Sequence, residues 1–129
     1  MSSFTEESAK TRILVVDDDT EIADSTAMVL NAYGYDALPA YNAYSAVKIA
    51  GAMPPQVALL DLRMPACDGV ELAGLLRQLP GLKEILLICL SGHASVEDKR
   101  RTSEAGFSYH FTKPVKWPEL VAAIQKHEK

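Results

Sequence analysis

Cysteine and long apolar runs are scarce in this sequence of 129 residues. Its two cysteines, Cys67 and Cys89, are too few for a disulfide framework and lack the Cys-x-x-Cys spacing of metal ligands. The longest apolar stretches fall far short of the ~18 residues that a membrane-spanning helix needs. The stretch from Met1 to Arg12 is polar and mixed in charge, so it lacks the apolar core of a signal peptide. These absences favour a protein of the cytoplasm that spans no membrane.

Positive charge is the other scarce feature. The chain has 13 Lys and Arg residues against 17 Asp and Glu residues, a formal net charge of −4, and it contains no basic run. This balance argues against nucleic-acid binding by the domain. A phosphate-binding P-loop is also excluded, because Gly69 and Gly74 are followed by leucines where that loop requires Lys and then Ser or Thr.

Short continuous apolar runs alternate with amphipathic stretches along the chain. The runs predict five strands, near residues 13–16, 35–40, 57–60, 85–90 and 107–111. Because they are continuous rather than alternating, they indicate a parallel sheet covered on both faces. Right-handed crossovers then give an open, doubly wound α/β sheet with a helix after each strand. Pro39 in the second run favours an edge position for that strand.

The helices between these strands have recognisable ends and apolar faces. Thr20 is the predicted N-cap of the first helix, and Gly34 is expected in the left-handed conformation that ends it. Helical spacing assigns Tyr33 to the apolar face of the first helix and Leu75 to that of the third. The segment 95–105 differs, because it has helix-forming residues but almost no apolar face. We therefore expect packing to hold the fourth helix least firmly.

Polar side chains follow four of the predicted strands. Parallel strands end at the same edge of a sheet, which is where open α/β sheets place their chemistry. That edge should therefore collect Asp17, Asp18, Asp61, Ser91, Gly92 and Lys113. Each of them alone has an ordinary explanation as a helix cap, a turn residue or a solvated lysine. Their occurrence together at successive strand ends favours a shared site.

The chemistry of these groups suits a phosphoryl group and a divalent cation. Clustered carboxylates without His or Cys favour a hard cation such as Mg²⁺, which binds one or two carboxylates plus phosphate oxygens. A hydroxyl, a backbone N–H and an ammonium are donors to phosphoryl oxygens. With Mg²⁺ and Lys113 the formal charge of the carboxylates is balanced at rest, and a phosphoryl group on Asp61 leaves about −1. A metal is therefore expected as charge neutraliser and template.

Four segments resemble the hallmarks of receiver domains of two-component response regulators, in order and in spacing. They are ILVVDDD at 13–19, LLDLRMPACDG at 59–69, LSG at 90–92 and FTKPV at 111–115. The resemblance covers the chain from about Arg12 to Gln125. It implies a flavodoxin-like domain of five parallel strands and five helices, spanning 11–129 after an N-terminal tail at 1–10. It also implies a signalling domain whose only enzymatic features are Mg²⁺-dependent self-phosphorylation and autodephosphorylation.

The resemblance implies a role for each site residue. Asp61 would accept a phosphoryl group from a histidine kinase or a histidine phosphotransfer protein. The ligands of Mg²⁺ would be Asp17, Asp18, Asp61 and the backbone carbonyl of Arg63. Ser91 would be the switch hydroxyl and Gly92 the adjacent backbone donor. Lys113, before a cis Pro114, would pair with the phosphoryl group.

Some positions depart from the commonest pattern of that family. His110 stands where the aromatic switch residue is usually Tyr or Phe, and the segment 105–115 resembles receivers attached to hybrid sensor kinases. The sequence is compatible with a stand-alone receiver and with a piece of a longer regulator or hybrid kinase. It names neither the cognate kinase nor the downstream protein partner.

Two alternatives remain open. A phosphatase of the haloacid dehalogenase type also uses a strand-end aspartate, Mg²⁺ and a lysine, and Asp17 with Asp19 satisfies its Asp-x-Asp core. That family requires an acidic pair after the lysine, however, and no such pair follows Lys113. A non-enzymatic adaptor with the same fold is disfavoured by the complete set of acidic, hydroxyl and lysine residues. Incubation with Mg²⁺ and a small phosphodonor distinguishes stoichiometric labelling, turnover and no reaction.

Overall fold

Five short strands alternate with five helices. The strands are β1 (Arg12–Val16), β2 (Asp36–Ala40), β3 (Val57–Asp61), β4 (Leu86–Ser91) and β5 (Tyr109–Thr112). The helices are α1 (Thr20–Ala32), α2 (Ala43–Ala52), α3 (Gly69–Arg77), α4 (Val96–Glu104) and α5 (Trp117–Glu128). This computed structural model describes residues 10–128, so the predicted N-terminal tail lies outside the described residues except for Lys10. No helix in that range has the length and apolar character to cross a membrane.

The five strands form one parallel sheet in the order β2-β1-β3-β4-β5. The predicted doubly wound α/β fold is confirmed, and β2, which contains Pro39, lies at an edge as expected. The register pairs Val16 with Leu60 and Asp61 with Leu90, so β1, β3 and β4 end close to one another. The residues that follow these strands therefore share one edge of the sheet.

Apolar residues cover both faces of the sheet. Alternate residues of the central strands pack with α2 and α3 on one face, and the intervening residues pack with α1 and α5 on the other. All five residues of β3 are buried. Burying a side chain such as Leu59 or Leu60 contributes about 1.5–3 kcal/mol. The strand that ends in Asp61 is consequently enclosed along its whole length, as is its neighbour β4.

The helix ends agree with the sequence in part. Gly34 has φ of +101° and follows the end of α1 as predicted, because glycine adopts this conformation without a Cβ penalty. Asp19, and not Thr20, is the N-cap of α1, and its carboxylate accepts hydrogen bonds from the backbone N–H groups of Glu21 and Ile22. Both residue types cap helices well.

Two predicted apolar faces were wrong in detail. Tyr33 is 50% exposed and Leu75 is 46% exposed, whereas Ala23 and Ala73 are buried. Tyr33 is the C-cap residue that follows α1 and so lies outside its buried face. Leu75 lies on the outer side of α3, whereas Leu72 and Leu76 of the same helix are 0% exposed. The start of β5 also differs, since Phe107 belongs to the turn after α4, where its N–H donates to the Thr102 carbonyl over 3.0 Å.

Candidate functional site

Three carboxylates meet at the carboxyl edge of the sheet. Oxygens of Asp17, Asp18 and Asp61 all lie within 4.8 Å of one another. Asp17 and Asp61 are buried, at 4% and 8% exposure, and Asp18 is exposed. Asp17 continues β1 with a backbone hydrogen bond to the Ala40 carbonyl, and Asp61 ends β3. The cluster consists of hard oxygen ligands without His or Cys, which fits Mg²⁺.

Burial and the charge of the cluster disfavour ionisation of Asp61. Burial, and then repulsion by Asp17, raises the pKa of Asp61 to about 6, although attraction to Lys113 acts in the opposite direction. Burial and like charge both disfavour the ionised carboxylate. A cation bound at these oxygens would relieve both effects.

Lys113 lies between the two buried carboxylates. Its Nζ atom is 2.6 Å from Asp17 Oδ2 and 3.6 Å from Asp61 Oδ1. Burial alone would lower the pKa of Lys113, but its contacts with these carboxylates raise it, so the side chain is cationic. The residue follows β5, its N–H donates to the Ser91 carbonyl over 2.7 Å, and its peptide bond to Pro114 is cis. The strand pattern predicts this position, and the family resemblance implies the cis isomer.

Ser91 and His110 are linked directly. The Ser91 hydroxyl oxygen is 2.9 Å from His110 Nε2, and the Thr102 hydroxyl oxygen is 3.0 Å from His110 Nδ1. The Thr102 hydroxyl donates to the Lys99 carbonyl, so Nδ1–H is the donor to Thr102 and Nε2 accepts from Ser91. Burial, and then the charge of Lys99, lowers the pKa of His110, which favours this neutral ring. The Ser91 hydroxyl is thus hydrogen-bonded to the strand β5.

Arg63 and Gly92 lie at the same edge, and both are exposed. The Arg63 side chain is 64% exposed, and its Nη2 atom is 2.5 Å from Oδ2 of Asp98 in the first turn of α4. Gly92 is exposed and follows β4 directly. The structure therefore brings every predicted site residue except His110 to the edge, and His110 lies within β5 in contact with Ser91. The structure also adds Asp98 as a partner of Arg63.

Sequence reasoning missed Gly69, which packs against the backbone of Asp61. A Cβ atom at this position would lie 2.6 Å from the Asp61 carbonyl oxygen, closer than real Cβ contacts allow. The Gly69 N–H also donates to the Leu62 carbonyl over 2.8 Å. Only a residue without a side chain permits this approach, so Gly69 helps to fix the position of Asp61. The short loop between β3 and α3 was the feature of the sequence that could have indicated this close approach.

Asp98 and Thr102 were also missed. The pattern Ser95-x-x-Asp98 predicts a capping box, and the structure contains both of its hydrogen bonds. The pairing with Arg63, 35 residues away, has no local signal. Thr102 resembles any surface threonine in the sequence, yet it is 1% exposed and contacts His110.

Comparison with known proteins gives a consistent result. The family model for the response regulator receiver domain matches residues 13–125. A 14.6 kDa protein of Leptolyngbya boryana is 34% identical over 92% of this chain and 91% of its own. The transcriptional regulatory protein PrrA of Mycobacterium tuberculosis is 32% identical over 88% of this chain, which spans 48% of PrrA. A CheY-like receiver domain from Methanospirillum hungatei superposes with a TM-score of 0.84 at 31% identity, over 92% of this chain and 94% of that one.

Proposed function

Because the chain belongs to the family of response regulator receiver domains, we propose that Asp61 accepts a phosphoryl group in a Mg²⁺-dependent reaction. Domains of this family are signalling domains that take phosphoryl groups from histidine kinases. The observation that carries the proposal is the meeting of buried Asp61 with Asp17, Asp18 and Lys113 at one edge of the sheet. The proposed receiver spans residues 11–129 and acts in the cytoplasm, and its donor is a histidine kinase or histidine phosphotransfer protein. The net charge of −4 supports protein partners rather than nucleic acid.

The proposed transfer moves the phosphoryl group from a histidine nitrogen of the donor to an oxygen of Asp61. An ionised oxygen of Asp61 attacks the phosphorus of a phosphohistidine, and the new O–P bond forms as the P–N bond breaks. The electron pair of that bond goes to the imidazole nitrogen, which takes up a proton. Lys113 is placed to pair with a phosphoryl oxygen because its ammonium already lies 3.6 Å from Asp61 Oδ1. The Ser91 hydroxyl and the Gly92 backbone N–H are the other proposed donors.

The acidic cluster is the proposed site of Mg²⁺. The ligands would be Asp17, Asp18, Asp61 and the backbone carbonyl of Arg63. Bound there, the ion supplies charge neutralisation and a template for the incoming phosphoryl oxygens. Asp17 already accepts hydrogen bonds on both oxygens, from Lys113 and from the backbone N–H of Asp19. Asp18 is therefore the more direct ligand of the pair.

The signalling step is proposed to follow from a change of partner at Ser91. When its hydroxyl turns to the phosphoryl group, His110 loses the donor to Nε2 and its ring can move. Thr102 on α4 would respond, because it contacts the other ring nitrogen.

The proposed signal ends by hydrolysis. Water attacks the phosphorus, and the bond between phosphorus and the Asp61 oxygen breaks. Its electron pair returns to the carboxylate, and the phosphate that leaves carries the proton of the water.

Intact-mass measurement tests the proposal. The full chain is incubated with Mg²⁺ and a small acyl phosphate, and one added phosphoryl group is expected. Asp61→Asn should take none, and omission of Mg²⁺ should abolish labelling of the unmodified chain. Asp18→Ala should weaken Mg²⁺ binding measured directly by calorimetry. Continuous consumption of the donor without retained label would favour a phosphatase instead, and equal labelling of Asp61→Asn would refute the assignment.

A further inference from the structure

The helix α4 is attached to the domain by polar contacts. Its buried residues are Asp98 and Thr102, and its one large apolar side chain, Val96, is 87% exposed. The other helices each bury apolar side chains or alanines against the sheet. The position of α4 therefore depends on the partners of a few charged and hydroxyl groups.

Two ion pairs connect α4 to the loop that follows Asp61, and this loop, residues 62–68, is called the acceptor loop below. Arg63 of the loop binds Asp98 of the helix over 2.5 Å. Arg101 of the helix binds Asp68 of the loop over 2.9 Å. Asp98 is 4% exposed and also accepts a hydrogen bond from the backbone N–H of Ser95. The loop that follows the acceptor is thus tied directly to a helix whose buried side chains are polar.

Of the two arginines, Arg63 has an alternative anion within reach. It follows Asp61 by two residues, and 64% of its side chain is exposed, so the side chain has space to rotate. A phosphoryl group on Asp61 would bring a charge of about −1.5 to −2 and three strong acceptor oxygens, whereas Asp98 offers a single carboxylate. A guanidinium binds phosphate oxygens through two parallel N–H donors. Arg101 is bound to Asp68 and belongs to α4 itself, which makes it a natural control.

We propose that Arg63 exchanges Asp98 for the phosphoryl group on Asp61, and that this exchange releases the first turn of α4. The inference rests on the proposed phosphorylation of Asp61. Asp98 is then a positioning residue, because it determines how often the guanidinium lies over the phosphoryl group. There Arg63 obstructs the approach of water to the phosphorus, so it slows the hydrolysis that returns the electron pair to the Asp61 carboxylate. The Arg101–Asp68 pair remains and keeps the rest of the helix attached.

Decay of the acyl phosphate tests this exchange in four forms of the full chain. Each is labelled with a small acyl phosphate and Mg²⁺, the donor is removed, and loss of the phosphoryl group is followed by intact mass. Asp98→Asn retains an acceptor for the Ser95 N–H, removes the charge that holds Arg63, and should lengthen the half-life several-fold. Arg63→Gln should shorten it. The double variant should decay like Arg63→Gln alone, because Asp98 acts only through Arg63.

The control variant is Arg101→Gln, which breaks the other ion pair and should leave the half-life unchanged. A longer half-life in Arg101→Gln would show that loosening α4 is sufficient, and it would overturn the exchange. An unchanged half-life in Asp98→Asn would overturn it as well. If the unmodified chain takes no phosphoryl group at all, the proposed function fails and the inference fails with it, so the two failures are distinguishable.

Hydrogen exchange gives a readout that does not depend on the decay rate. The backbone N–H groups of Asp98 and Lys99 donate to the hydroxyl and the carbonyl of Ser95. These two amides should lose protection when the unmodified chain is phosphorylated, and they should lose it without phosphorylation in Arg63→Gln. Arg63 is exposed, so this variant should fold even if Asp98→Asn does not. Equal protection of the Asp98 and Lys99 amides before and after phosphorylation would contradict the release of this turn.

Discussion

The strand β3 and the helix α4 are opposites within one small domain. Every residue of β3 is buried, and the strand lies between β1 and β4 with apolar side chains on both of its faces. The buried residues of α4 are polar, and ion pairs with hydroxyl contacts hold the helix. An apolar enclosure fixes the carboxylate of Asp61 in place, while polar attachments can change partners when a charge appears nearby. Such a division allows a chemical change at a fixed position to be read by a segment that opens at low cost.

The largest expected effect of this contrast is on global stability. Leu60→Ala removes a side chain that is 0% exposed and should lower the free energy of unfolding by about 2–5 kcal/mol. Val96→Ala in α4 removes an apolar side chain of similar character that is 87% exposed, and it should change stability by less than about 0.5 kcal/mol. Urea denaturation of both variants measures the difference. Comparable losses in the free energy of unfolding would mean that Val96 contributes more packing than its exposed fraction suggests.

A smaller effect is expected where the acceptor loop meets the end of β3. Gly69→Ala would place a Cβ atom 2.6 Å from the Asp61 carbonyl oxygen and should cost about 1–3 kcal/mol, as steric overpacking does. It should also slow phosphorylation of Asp61, because the backbone that carries the carboxylate must shift. Denaturation midpoints and labelling rates measure the two consequences.

The matched control for Gly69→Ala lies in the same helix. A Cβ atom at Gly74 meets no atom within 4 Å, so Gly74→Ala should stabilise the chain by up to about 1 kcal/mol through helix propensity. Opposite signs for the two variants would locate the effect of Gly69 in its contact with Asp61. Destabilisation by both would indicate a general intolerance of α3 to substitution instead.

The same contrast explains how much of the molecule its sequence predicts. The apolar runs predict β3 and its neighbours because a strand buried on both faces consists of consecutive apolar residues. The gathering of Asp17, Asp61, Ser91 and Lys113 then follows from the geometry of parallel strands alone. The attachments of α4 do not follow, because an ion pair such as Arg63–Asp98 joins two residues that are ordinary in their local context. Gly69 is similar, since its importance depends on a close approach that only the folded backbone creates.

The smallest expected effect concerns pH and the hydrogen bonds that connect β5 to α4. His110 accepts from Ser91 and donates to Thr102 only as a neutral ring, and burial together with Lys99 lowers its pKa below the ordinary value of 6.5, against the attraction of Asp98. In the window below pH 6.5 the unfolded chain therefore binds more protons at this residue than the folded chain does. Stability consequently falls as the pH falls through that window.

This dependence is separated from all other titrations by a comparison of the unmodified chain with His110→Phe. Phenylalanine is close in size to the imidazole ring and has no proton to bind, so the stability difference between the two proteins should shift in favour of the variant below pH 6.5 and be constant well above it. Groups that the two proteins share, including Lys99, Asp98 and the buried Cys89 that lies 3.8 Å from His110 Nε2, cancel to first order. Urea denaturation at several pH values measures the difference. A difference that does not vary with pH would mean that His110 titrates equally in the folded and unfolded chains, and that the link from Ser91 to α4 is insensitive to protonation.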